Sequence, residues 1–365
     1  MSPASRLLLC FPSLAFARKA VRSGLDLRLV VDVGQRALFA PFAADRLTLV
    51  DARDETAVAG AVAQVVLRCG ITHVLDGDGF PATRVCPEFA EAAHVLADDR
   101  RLEAVLAPSR HPMVRTRVVA TADEVPGAVA ETGLPAVLRS GDEETVVRSG
   151  AALAGWARRH DHPGPFAVGE FVPGPEVVVT TLTHDGMHRV VGVTAQRAVA
   201  HGVRYLFPAT VGEAEAREVR ATVTAMLDLV GYEFGPAETS VVLSGRGPRI
   251  VRARPGFGTR GIARLIEVTT GFDVQTELCR ALAGVPVRPP EPRWFAGAEY
   301  LRPPSAGVRV LAEGATPEIV EERLDAARRR ELTCGDTAVS ARYVRNTEAG
   351  EASGIEDGRN REPDL

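Results

Sequence analysis

The residues of this chain best suited to chemistry are arginines and carboxylates. Ala253-Arg254-Pro255-Gly256 closes an apolar run with a guanidinium just ahead of a turn, and Arg252 stands two residues earlier. A guanidinium is a permanent cation whose fork matches the paired oxygens of a carboxylate or a phosphate. Arg252 therefore reads either as a fixed cation facing an oxyanion or as an ordinary arginine on an exposed strand. Glu238 and Ser240 lie two apart on the preceding run, so they point to one face of a strand. Farther upstream, Gly169-Glu170-Phe171-Val172-Pro173-Gly174-Pro175-Glu176 brackets a tight turn with two carboxylates, and Asp76-Gly77-Asp78 ends another apolar run. The eight histidines show no H-E-x-x-H spacing, and neither a G-x-S-x-G elbow nor a G-x-x-x-x-G-K loop occurs. Zincin, nucleophile-elbow and P-loop chemistry thus have no support.

Composition bounds the rest. At 365 residues the chain is long enough for two or three subdomains, and 45% hydrophobic with 25% charged residues is the balance of a folded globular protein. The formal net charge is −4 and no stretch concentrates basic residues, which argues against a nucleic-acid partner. Lys19 is the sole lysine among 43 basic residues, so each arginine here can stand where another lineage carries lysine. Cys10, Cys69, Cys86, Cys279 and Cys334 are odd in number, scattered and never paired as C-x-x-C, which favours a reducing compartment over disulfides or a thiolate metal site. With no apolar run of membrane-spanning length and no leader pattern, the expectation is a cytoplasmic protein with no membrane partner.

The elements that must position these residues follow from periodicity. Arg6–Cys10, Leu27–Asp32, Leu47–Asp51 and Ile71–Leu75 are short continuous apolar runs, the mark of parallel strands buried on both faces. Helical spacing of Val58, Ala61, Val62, Val65 and Cys69, stopped by Gly70, places an amphipathic helix between the third and fourth runs. Residues 1–97 read as an open parallel α/β domain. Residues 98–165 read as a small α+β lid, with a helix from Asp99, a strand near Arg117–Ala120, a capping box at Thr121-x-x-Glu124, and a strand over Pro135–Arg139 leading into a hairpin. Residues 166–290 read as a mixed sheet holding strands at Val177–Leu182 and Val190–Val193, a helix striped by Ala216, Val219, Val223, Met226, Leu227 and Val230, and a late hairpin around Gly245-Arg246-Gly247-Pro248. A strand-and-helix extension follows at 291–345, and the polar stretch 346–365 reads as a disordered tail.

An α/β unit, a small lid, then a mixed sheet carrying Phe-Val-Pro-Gly-Pro-Glu and a later Ala-Arg-Pro-Gly resembles the ATP-grasp superfamily over roughly residues 5–345, and most of all its carboxylate–amine ligases, amino-acid ligases of natural-product pathways among them. The resemblance implies an α/β and α+β ATP-grasp fold, ATP as cofactor, small-molecule carboxylate and amine substrates, and a homodimer through the first domain. By position it implies that backbone groups of Glu170, Phe171 and Val172 meet adenine and that Glu176 accepts from the ribose hydroxyls. Arg139 and Arg100 match two phosphate-side lysines of the family, Arg254 matches an arginine that grips a carboxylate or the transferring phosphoryl group, and His201 falls in the segment lining the substrate pocket. Read on residue type alone, Glu176 is equally a solvated strand residue, Arg100 a surface arginine, His201 a packing histidine and Asp76-Gly77-Asp78 a turn.

Two departures bear on function. The phosphate loop after Arg139 is short and acidic, Asp142-Glu143-Glu144, and repels a triphosphate at close range. Family members hold Mg²⁺ with a glutamate on the first strand of the late hairpin and Glu-x-Asn on the second; here those positions are Ser240, Ile250 and Arg252, with Glu238 left as one conceivable ligand. The leading expectation is a ligase that joins a small carboxylate to an amine through an acyl phosphate with an altered metal site, Arg254 and Arg252 carrying the catalytic role. The alternatives are a catalytically inactive homologue that binds a ligand or partner, and an ATP-independent enzyme using the same cleft.

Overall fold

The computed structural model describes residues 5–77, 80–81, 91–111, 113–140, 143–160, 162–199, 202–257, 261–301, 309–334 and 341–344. His201, Asp78, Asp142, the glutamate side chain at 143 and the expected tail at 346–365 lie outside the described residues.

The first unit is β1 (Arg6–Cys10), α1 (Leu14–Arg22), β2 (Asp26–Asp32), β3 (Leu47–Val50), α2 (Glu55–Cys69), β4 (His73–Asp76) and β5 (Phe80–Pro81). Its sheet runs in the order β3-β2-β1-β4-β5, parallel except for β5. The apolar runs are continuous because both faces are covered: Leu7 and Leu9 join the core that includes Phe16 of α1, while Leu8 and Cys10 join Val58, Val62 and Val65 of α2. Ser13 Oγ accepts from Phe16 N at 3.2 Å to start α1, and Gly70, at φ 60°, ends α2 in a conformation that costs a glycine nothing.

Two helices, α3 (Glu91–Ala97) and α4 (Asp99–Leu106), lead into the lid of β6 (Thr116–Val119), α5 (Val125–Thr132), β7 (Ala136–Ser140), β8 (Glu143–Val147), α6 (Gly150–Arg159) and β9 (Phe166–Glu170). The lid sheet is antiparallel in the order β6-β9-β7-β8 and closes over a core of Trp156, Phe166, Leu138 and Val168. Strand β9, which the sequence pattern assigns to the third region, pairs with β6 and β7, so the lid extends to Glu170 rather than ending at 165. The expected capping box is not made. Thr121 forms no side-chain cap bond, Glu124 Oε2 accepts instead from Ala120 N at 3.0 Å, and α5 starts after one 3₁₀ turn with a proline in its first turn.

The large sheet takes β10 (Glu176–His184), β11 (Met187–Val199), β12 (Gly202–Phe207), then α7 (Glu213–Val230), β13 (Phe234–Ser244), β14 (Gly247–Pro255), α8 (Ile262–Thr270), α9 (Val274–Leu282), β15 (Phe295–Leu301), β16 (Arg309–Gly314), α10 (Pro317–Cys334) and β17 (Ala341–Val344). Its order is β14-β13-β10-β11-β12-β15-β16-β17, so the strands after residue 290 continue this same sheet. Alternation splits its two faces. Val177, Val179, Val241 and Ala253 pack on Val219, Val223 and Met226 of α7, whereas Val178, Tyr205, Phe207, Ala296 and Ala298 pack toward Leu7, Leu9, α8 and α9. The sole lysine, Lys19 on α1, pairs with Asp273 at 2.7 Å and Gln275 at 2.9 Å, tying the first unit to α9. No helix among the described residues is long and apolar enough to cross a membrane.

Candidate functional site

Strand register assembles a polar floor on the sheet face turned toward the first unit. Reading across neighbouring strands, Arg254, Glu238, Thr180 and Gly192 stand in one row, and Arg252, Ser240, Val178 and Thr194 in the next. Val242, Glu176, Gln196 and Tyr205 form the third. Glu238 and Ser240 therefore share a face, as their spacing predicts, and each stands opposite an arginine. Both are buried, at 9% and 5% exposure. Thr180 Oγ1, Thr194 Oγ1 and Gln196 Oε1 are buried with no hydrogen-bond partner among the described residues. Buried polar atoms are nearly always satisfied, so a cluster of open ones on one face marks a place for a polar ligand or water.

The residues present do not fit a metal cage. Of the three positions where the resemblance expects ligands, Ser240 offers one neutral oxygen and Arg252 a cation. The third, Ile250, does not face the floor at all. A β-bulge shifts the β13–β14 register between Ser240 and Val241, so that Ser240 opposes Arg252 while Val241 opposes Ile250. Ile250 is 0% exposed and packs with Val241 and Ala253 against α7. Among the described residues no three His, Cys, Asp or Glu side chains are grouped to hold a metal ion.

Arg254 reaches Asp99 Oδ1 at 2.8 Å, at the start of α4, and its own neighbour Ala253 O at 2.7 Å. The next residue, Arg100, donates from Nη2 to Val118 O of the lid at 3.0 Å, while Asp98 caps the helix by accepting from Arg100 N and Arg101 N. The N-terminal turn of α4 thus joins the arginine of the floor to the lid. Within the lid, Arg139 and Glu144 are cross-strand neighbours on β7 and β8, and Arg139 Nε donates to Glu144 Oε2 at 2.8 Å.

The hinge segment is anchored on both sides. Glu170 N donates to Arg115 O at 3.0 Å and Phe171 N to Pro135 O at 3.4 Å, so those two donors are occupied, while Val172 N takes no backbone partner among the described residues. The Glu170 carboxylate accepts from Arg249 Nη2 of β14 at 2.6 Å, from Arg115 N at 3.2 Å and from Arg115 Nε and Nη2 at 3.4 Å. Arg249 Nη2 also donates to Met113 O at 2.7 Å. The Phe171 ring lies under Arg148, whose guanidinium carbon is 4.8 Å from the ring centroid. Glu176 is half-buried at the start of β10, in the same row as Gln196. Gly174, at φ 149°, leaves no room for a side chain, since a Cβ there would meet Leu243 O at 2.1 Å.

The sequence pattern missed Asp99, Arg115, Arg249, Thr180, Thr194 and Gln196. For the threonines a signal existed: Thr180 follows three valines in Glu176-Val177-Val178-Val179-Thr180 and falls at an even offset from Glu176, hence on its face. Asp99 and Arg249 act across separations of 155 and 79 residues, which no local pattern encodes.

No protein-family model matches the sequence, and no curated protein matches it. Solved structures do match in shape. The L-amino acid ligase from Bacillus licheniformis superposes with a TM-score of 0.59 at 15% identity, over 82% of this chain and 80% of that one. An N5-carboxyaminoimidazole synthase from Aspergillus clavatus, in complex with ADP and 5-aminoimidazole ribonucleotide, gives 0.62 at 14% identity over 90% and 87%. Biotin carboxylase from Campylobacter jejuni gives 0.58 at 15% identity over 81% and 75%. Three units in this order, with the lid strand β9 ending at Glu170 beside an eight-stranded sheet, give this chain the ATP-grasp fold that those structures share.

Proposed function

We propose that the protein is an ATP-dependent ligase that joins a small carboxylate to an amine. The observation that carries this reading is the polar floor, with Arg254 and Glu238 in one row and Arg252 and Ser240 in the next, on the face turned to the first unit. The neighbours support it, since one is an L-amino acid ligase and others are nucleotide complexes. In this reading a carboxylate oxygen attacks the γ-phosphorus of ATP and ADP leaves. The amine nitrogen then attacks the acyl carbon, orthophosphate leaves, and the nitrogen loses a proton. Arg254 grips the carboxylate or the transferring phosphoryl group in exchange for Asp99, a bidentate contact that holds the reacting oxygen in line. Val172 N–H faces adenine, Glu176 accepts from the ribose, and Arg139 and Arg100 stand on the phosphate side. Thr180, Thr194 and Gln196 offer hydroxyl and amide groups to the substrates. The test is release of ADP and orthophosphate from ATP over a panel of amino acids, other small acids and amines; a panel that never raises release above the ATP-only rate refutes the reading.

A second reading has its own observation. Ile250 is locked in the α7 core, so one expected ligand position is structural rather than merely substituted. That favours a homologue that binds a nucleotide or metabolite without transferring phosphate. Tight nucleotide binding together with no turnover on the panel would select it.

A further inference from the structure

The polar floor sets Arg252 at a position where the resemblance expects a metal ligand, and from this we infer a nucleotide site that holds phosphate through Arg252 without a divalent cation. The inference rests on the ATP-binding reading above and says how that site meets the phosphates. Three observations carry it. Arg252 is the cross-strand partner of buried Ser240 and half-buried itself, and the neighbouring row sets Arg254 beside Glu238, so two arginines stand two residues apart on the edge strand β14. The bulge after Ser240 turns Ile250 away from this face, which removes the second carboxylate position by geometry as well as by residue type. Among the described residues, no group of three metal-ligating side chains replaces it.

Charge favours the exchange. A divalent ion placed beside Arg252 would meet a fixed positive charge, with Glu238 as the one carboxylate of the central rows. A phosphate in the same place meets a fork of N–H donors on a weakly hydrated cation, whereas Mg²⁺ gives up its waters reluctantly and needs an octahedron of oxygens. Of the two arginines that β14 sets on this floor, Arg252 is half-buried and Arg254 exposed, so Arg252 is the one set deeper.

The test is calorimetric titration of ATP and ADP into the full chain, once with Mg²⁺ and once with EDTA, for wild type, Arg252→Ala, Arg252→Lys and the double variant Ser240→Glu/Arg252→Asn. The expected result is wild-type binding in EDTA within about threefold of that in Mg²⁺. Arg252→Ala loses about ten- to a hundredfold in EDTA, the worth of one or two charge-assisted hydrogen bonds, and Arg252→Lys recovers part of the loss. The double variant binds more tightly with Mg²⁺ than with EDTA. Wild-type binding that requires Mg²⁺, or Arg252→Ala binding as wild type does, overturns the metal-independent site and leaves the ligase reading standing. Wild-type protein that binds neither nucleotide under either condition refutes both.

Discussion

Glu170 is the residue whose removal tests how lid and sheet are joined. Its carboxylate ends β9 of the lid and receives Arg249 Nη2 from β14 at 2.6 Å, with side-chain exposures of 19% and 27%. Arg115 also reaches it, at 3.4 Å, but is 72% exposed. The short, mostly buried charge-assisted bond is worth about 1.5–3 kcal/mol, and the long exposed pair about 0–1 kcal/mol. Among the described residues, Glu170→Ala leaves Arg249 with Met113 O as its one partner and with an Nε that is already buried without a hydrogen bond. We expect a loss of about 2 kcal/mol in the urea unfolding of the lid. Trp156, buried in the lid core, reports that transition by fluorescence in a Trp294→Phe background. Double-mutant cycles apportion the loss: coupling of Glu170 with Arg249 of about 1.5–2 kcal/mol, and with Arg115 below about 0.5 kcal/mol. Equal couplings, or a larger one to Arg115, would refute the reasoning that burial and length decide which arginine holds the hinge.

Two further perturbations follow from the same geometry. Glu144→Ala releases Arg139 from its 2.8 Å partner on β8 and removes a negative charge beside it, so ATP affinity rises several-fold in fluorescence titration; unchanged or weaker binding would remove Arg139 from the phosphate side. His73 packs at 4.5 Å on the Phe234 ring and 6.2 Å from His184, and burial, with His184 adding to it and Asp185 opposing, holds its pKa below the usual 6.5. The unfolded chain then binds the proton first, so the stability His73 contributes is present above pH 6.5 and is lost as pH falls below it. His73→Phe should flatten that acid limb in thermal melts between pH 7 and pH 5; His188, depressed by burial in the same sense, keeps some slope. An unaltered limb would exclude His73.

Much of the architecture is written locally. The first unit is legible because its strands are covered on both faces and leave continuous apolar runs, and α2 and α7 because a stripe at helical spacing ends at Gly70 and Gly231, both with φ above 60° or at it. The floor is legible in pieces: Glu238 and Ser240 share a face through the period of two. What local pattern cannot carry is partner choice. Nothing within Phe166–Glu170 says that it pairs with β6 and β7 instead of β10, because an alternating strand fits either sheet. The capping box at Thr121 has the right letters, yet Glu124 turns to Ala120 N, since a 3₁₀ turn and a proline near the start of α5 set another geometry.

The bulge between Ser240 and Val241 shows where letter-by-letter inference about the metal positions stops. Ile250 and Arg252 are two apart, and a regular strand would aim both at the floor. One extra residue on β14 places Arg252 opposite Ser240 and sends Ile250 to the α7 core with Val241 and Ala253. Ile250→Glu would therefore not rebuild a metal ligand. It would put a carboxylate among Val219, Val223 and Val241, where it protonates or the strand yields, at a loss of about 3–5 kcal/mol judged by other buried unpaired charges. The expectation is a destabilised protein with no gain in Mg²⁺ dependence, read by urea unfolding and by titration of ATP with and without EDTA. A stable Ile250→Glu variant whose ATP affinity becomes Mg²⁺-dependent would mean that β14 slides into regular register, and the bulge would then be a switch between two sites instead of the feature that abolished one.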